Sequence, residues 1–169
     1  MNHHRRQALF KEHAAAVLRR DTAGAARALA SIGPESWMGH QLFVFSLFAS
    51  TVTDHFGDDL DRADLAELMA EFRTARPDAH WLRAEALIRS CYGESSLYLD
   101  VPQSEHWSLM WAVLALIVPP DPGETTLTVL FDRADDLGRE VVSGIFESER
   151  LFGWADEPED PPQHREEAS

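Results

Sequence analysis

Residues 37–56 read WMGHQLFVFSLFASTVTDHF, and the fold class turns on how this stretch is wound. At 3.6 residues per turn, Trp37, Leu42, Phe45, Phe48, Ala49, Val52 and Phe56 make an apolar face, with Val44 and Leu47 widening it on the flanks. A helix apolar over so broad an arc belongs at the centre of a bundle. Glu35 or Ser36 can open it. Gly57 can close it, because glycine accepts the left-handed backbone that ends helices. A second apolar element, Trp107–Val118, belongs inside beside it. The apolar runs within them, Leu42–Val52 and Leu109–Val118, fall short of the roughly 20 residues a bilayer span requires, so no membrane span is expected.

Upstream of residue 37, Phe10, Ala14, Val17 and Leu18 share one arc of a helix running from about Asn2 to Arg20. Arg5, Arg6, Lys11, Arg19 and Arg20 lie outside that arc. Asp21 or Thr22 can cap a second helix through Ala26 and Leu29 to Ile32, and Gly33-Pro34 stops it, which makes a helical hairpin.

Downstream, Asp61 with Asp64 supplies a cap and a first-turn acid for a helix carrying Leu65, Leu68, Met69 and Phe72. Pro77-Asp78 can open a fifth helix, with Trp81 or Leu82, Glu85, Ile88, Cys91 and Tyr92 at successive turns before Gly93. Residues 97–101 alternate Leu97, Leu99 and Val101 with Tyr98 and Asp100, so helix and extended chain both remain open there, although Pro102 argues against a central strand. Ser104 is the expected cap of the helix through Trp107, Met110, Trp111, Leu114 and Val118, which Pro119-Pro120 ends. A last helix is expected from about Thr125 to Phe152, but its β-branched start leaves residues 125–131 helical or extended.

The sequence therefore specifies an all-α protein: a single-domain bundle of about six to eight helices over residues 1–153. Residues 1–33 form a basic hairpin at its start, and 154–169 a proline-rich acidic tail expected to be disordered. A chain of 169 residues can bury roughly two-thirds of its unfolded surface without a disulfide or metal staple. Its one cysteine, Cys91, has no intramolecular partner, and no secretory signal pattern is present, so a cytoplasmic location is expected.

Charge is distributed unevenly. Residues 1–33 hold six basic side chains and two acids, residues 34–153 hold 8 Arg and 21 acids, and residues 154–169 hold Arg165 and six acids. Such segregation marks Arg5, Arg6, Arg19 and Arg20 as a binding surface for a protein partner, for another copy, or for the chain's own acidic body. The overall charge of −14 opposes nucleic acid by long-range repulsion. Trp154, after Gly153 and before the acidic tail, is either a docking residue or a hydrophobic contact of the glycine cap.

Motifs for a reaction are wanting. Asp54, His55, Asp58 and Asp59, followed by Asp61, are candidate ligands for a hard cation, but they lack EF-hand order, and helix capping accounts for the acids more simply. His13, His40, His55, His80 and His106 form no HExxH pair, and Cys91 lies on an apolar face. There is no GxSxG, GxxxxGK[ST] or GxGxxG sequence. The expected function is a non-catalytic interaction or regulatory module, with no cofactor. Two alternatives are carried: a small-molecule-binding or metal-dependent enzyme with a pocket among Trp107, Trp111, Tyr92, Phe45 and Phe48, and an acidic inhibitor or immunity protein for a basic partner.

Overall fold

The structure, a computed structural model, describes residues 3–152, with side chains for residues 4–144. Among the described residues there are eight α-helices and no strand: α1 (His3–Leu18), α2 (Thr22–Ser31), α3 (Trp37–Phe56), α4 (Arg62–Ala75), α5 (Trp81–Ser90), α6 (Ser96–Asp100), α7 (Gln103–Ile117) and α8 (Glu124–Phe152). A 3-10 turn, Pro34–Ser36, leads into α3. The chain divides into two compact units, Met1–Gly138 and Arg139–Ser169, with the division inside α8. In the second unit the described part is the remainder of α8.

The first unit is built around α3, as its sequence requires. Val44, Leu47, Phe48 and Val52 of α3, and Val113 and Leu114 of α7, have no exposed surface. Around this pair, α4 contributes Leu68, Met69 and Phe72, α5 contributes Leu87 and Ile88, α1 contributes Phe10 and Ala14, and α8 contributes Leu127, Phe131 and Ala134 to the same core. Burial of this apolar area is the main driving force for the fold.

The local signals act as expected at several ends. The Asp21 carboxylate accepts the Gly24 amide at 2.8 Å. Asp61 accepts the amides of Ala63 at 2.6 Å and Asp64 at 3.3 Å. Gly57, at φ +80°, closes α3 by donating its amide to Thr53.

Elsewhere the structure corrects the sequence. Pro77-Asp78 does not open α5. The Ala79 amide instead donates to Arg76 O in a turn, and the helix starts at Trp81, with His80 O receiving the amides of Arg83 and Ala84. Ser104 is not the cap of α7 but lies within its first turn: Val101 and Pro102 are extended, and Pro102 O takes the Glu105 amide. Residues 97–101, left open above, wind into α6 as far as Asp100. With no strand beside them, the turn satisfies their own backbone groups, Leu97 N donating to Glu94 O and Tyr98 N to Ser95 O.

The start of α8 is helical despite its β-branched residues, and the Thr128 hydroxyl donates back to Glu124 O at 2.9 Å. Trp37 is not a core residue. At the first position of α3 it packs one side toward His40 and stays 43% exposed. Residues 153–169, including Trp154 and the acidic tail, lie outside the described residues.

Candidate functional site

The basic first helix meets the chain's own acids. Lys11 Nζ stands 2.6 Å from Asp135 of α8, and the Arg19 guanidinium stands 2.6 Å from Glu124 while donating to Pro122 O. Part of the charge seam is therefore closed inside the first unit. Arg5 and Arg20 are exposed and Arg6 is half-buried, at opposite ends of α1.

The acidic loop residues do not converge. Asp54 is ion-paired with Arg133, and His55 lies edge-on to Phe56 at 4.7 Å. Asp58 and Asp59 line a polar cleft of about 870 Å³ with Arg62, Arg89, Tyr92 and Glu94. Within the cleft, Arg89 reaches Glu94 at 2.5 Å and Glu85 at 3.5 Å, and its hydrogen bond to Glu94 holds that carboxyl below its ordinary value. The Tyr92 hydroxyl donates to Gly57 O at 2.8 Å, tying the loop after α3 to the end of α5. Among the described residues, no three His, Cys, Asp or Glu side chains group so that they could hold a metal ion.

The aromatic residues weighed as pocket lining separate in the same way. Phe48 is fully buried, Tyr92 faces the polar cleft, and Trp107 and Trp111 surround a histidine pair. Only Phe45 borders an open apolar feature.

That feature is a groove of about 450 Å³ between α3 and the α5–α6 corner, lined by Met38, Gln41, Leu42, Phe45, Ser90, Ser95 and Tyr98. Its floor is set by Tyr98. The Tyr98 ring packs edge-on to Phe45 at 5.6 Å and 4.3 Å from His106, and burial pushes its hydroxyl pKa up. His106 is fixed in turn. Its Nε2 stands 2.9 Å from Val101 O, and because a carbonyl only accepts, that nitrogen carries the proton. With Tyr98 turned inward, Leu99, one residue or about 100° further round the helix, is 84% exposed, and Met38 is 82% exposed.

The second notable constellation is buried. His40 Nε2 and His13 Nδ1 lie 3.1 Å apart, joining α3 to α1, with His13 6% and His40 1% exposed. Trp107 stacks on His40 at 5.6 Å and 9°, Phe10 and Trp37 lie 5.4 and 5.7 Å from it, and Trp111 meets His13 at 5.8 Å. Burial lowers the pKa of both rings, that of His40 to about 4 with a further contribution from His13. Both are therefore neutral at pH 7, one donating and the other accepting. His40 Nδ1 has no hydrogen-bond partner. An orphaned N–H is the rarer and costlier defect, which favours the proton on Nε2 and a bare lone pair at Nδ1.

Sequence reasoning treated these histidines singly, since 27 residues separate them and no motif links them. The available signal was phase: His13 adjoins Phe10, Ala14 and Val17 on the apolar side of α1, and His40 lies one turn before Val44. Of the groove residues, the sequence marks Leu42 and Phe45 as core, with Phe45 also in the pocket considered for an enzyme, and gives Met38, Gln41, Ser90 and Ser95 no role.

Comparison with family models, curated proteins and solved structures finds no match. No described helix is long and apolar enough to cross a membrane.

Proposed function

We propose that the chain is a non-catalytic protein-interaction module that receives a segment of a partner protein in the groove between α3 and α6. The observation that carries this reading is an uncharged, mainly apolar groove with Met38, 82% exposed, in its lining, and Leu99, 84% exposed, next in sequence to its Tyr98. Exposed apolar residues grouped around a concavity are a common mark of contact surfaces. Charge narrows the partner. The groove lies in residues 34–153, which hold 8 Arg against 21 acids, so the fitting segment offers one or two apolar anchors flanked by Lys or Arg. The acidic body then steers the encounter, and the groove supplies specificity.

A groove of this size also suits a small apolar ligand, which is the second reading. Affinity capture from the native cell, at low and high salt, separates the possibilities. The expected result is a protein held by the wild type and by Val129→Asp, a control on α8, but lost with Met38→Asp. Capture indifferent to Met38→Asp overturns the groove reading. If that capture collapses with salt, it favours an acidic inhibitor instead, and an extractable small molecule lost with Met38→Asp favours the ligand reading.

A further inference from the structure

We infer that the His13–His40 contact is an acid-released latch holding the α1–α2 hairpin against the body formed by α3 and α7. The inference is independent of the groove and rests on where the two rings sit. His13 belongs to the hairpin and His40 to the central helix, and they meet at 3.1 Å with almost no exposed surface.

The surroundings make a proton costly there. Facing the pair are Phe10 of α1, Trp37 of α3, and Trp107 and Trp111 of α7, all without charge. The titratable groups on the same elements are occupied elsewhere, turned outward or distant: Lys11 pairs with Asp135, Arg19 with Glu124, Glu105 with Arg83, and His106 with Val101 O, while His4, Arg5, Glu12 and Arg27 are exposed and half-buried Arg6 lies seven residues, about two turns, before His13. Asp54 and His55 belong to the last turn of α3, away from His40 in its first. Each histidine therefore has the other as its ionisable neighbour.

A proton can enter in two ways. On the accepting nitrogen of the pair it sets two N–H groups against each other and removes the bond. On His40 Nδ1 it leaves a buried cation with no acceptor, which contact with the Trp107 ring offsets only in part. Swinging the hairpin away wets both rings and removes either cost.

The sign follows from proton binding. Histidines of the opened state protonate near 6.5, whereas His40 of the closed state resists to about 4, so below pH 6.5 the open state binds more protons and acid favours it. The closed state is fully favoured above 6.5. For His40 alone, the opening equilibrium rises about thirtyfold by pH 5.

Amide hydrogen exchange of the full chain from pH 7.5 to 5, corrected for intrinsic exchange rates, tests this. The expected result is a tenfold or greater rise in α1 and α2, with the amides of Leu87 and Leu114 unchanged. His40→Gln should remove most of the rise and His13→Gln only part of it, because burial remains the larger cause at His40, while Asp135→Asn and Glu124→Gln, which cut the hairpin's ionic ties, should keep it. Flat exchange in the wild type, an equal rise at Leu87 and Leu114, or a full rise in both histidine variants overturns the latch. Should those variants not fold, imidazole resonances of the wild type decide. The two rings must titrate together with the hairpin amides, and titration without hairpin opening refutes the inference.

Discussion

Lys11 Nζ lies 2.6 Å from a carboxylate oxygen of Asp135, so the chain's one lysine joins the first helix to the last. Both side chains are about 30% exposed, which limits the strength of the pair. A double-mutant cycle with Lys11→Ala and Asp135→Ala should give a coupling of about 0.2–1 kcal/mol, reduced by added salt. Urea melts of the four proteins measure it. A larger, salt-independent coupling would show that the pair is better shielded than its exposure implies.

Phe48 has no exposed surface and sits on the helix that the rest of the first unit surrounds. Phe48→Ala should destabilise by about 3–5 kcal/mol, the loss of transfer energy being increased by the cavity left behind. Chemical denaturation gives the value. A cost near 1 kcal/mol would mean that the neighbours collapse into the space.

Gly57 ends α3 at φ +80° and ψ −160°, a region that side-chain-bearing residues rarely occupy. A Cβ there meets nothing within 4 Å, so the cost of Gly57→Ala is conformational and should be about 1–3 kcal/mol. Thermal melts of this variant beside Gly144→Ala, where a Cβ also meets nothing but the helical backbone suits alanine, isolate the backbone effect. Equal melting temperatures in the two would refute it.

Cys91 is half-buried at the end of α5, its thiol donating to Leu87 O at 3.6 Å, and burial pushes its pKa up to about 11. At pH 8 only about one thiol in a thousand is ionised, so alkylation by iodoacetamide should be at least a hundredfold slower than in the denatured chain. The rate should climb about tenfold per pH unit up to 11. Fast labelling at pH 7 would contradict the assigned burial.

Much of the fold is legible because the informative residues act locally. Asp21, Asp61 and Gly57 mark ends through bonds to backbone within four residues, and the breadth of apolar surface on residues 37–56 states that α3 is central. The open and the mistaken readings fall where tertiary context decides. α6 is helical because its sequence neighbourhood offers no strand to pair with, and Trp37 is exposed because the core begins one turn later, at His40. The groove depends on Tyr98 turning inward between Phe45 and His106, a choice made by residues 53 and 8 positions away. Charge segregation was visible at once, but not its pairing: Arg19 and Glu124 are 105 residues apart, and nothing near Arg19 names its acid.

That separation also orders events during synthesis. The hairpin leaves the ribosome before the helices that bury it, so Phe10 and Ala14 stay uncovered until α3, α7 and the first turns of α8 arrive. At about 5–20 residues per second, the 105 residues between Arg19 and Glu124 take roughly 5–20 s to make. Throughout that interval the apolar side of α1 is a nascent surface without its cover, and the hairpin can do no more than fray and re-form until the last helix completes the packing around it.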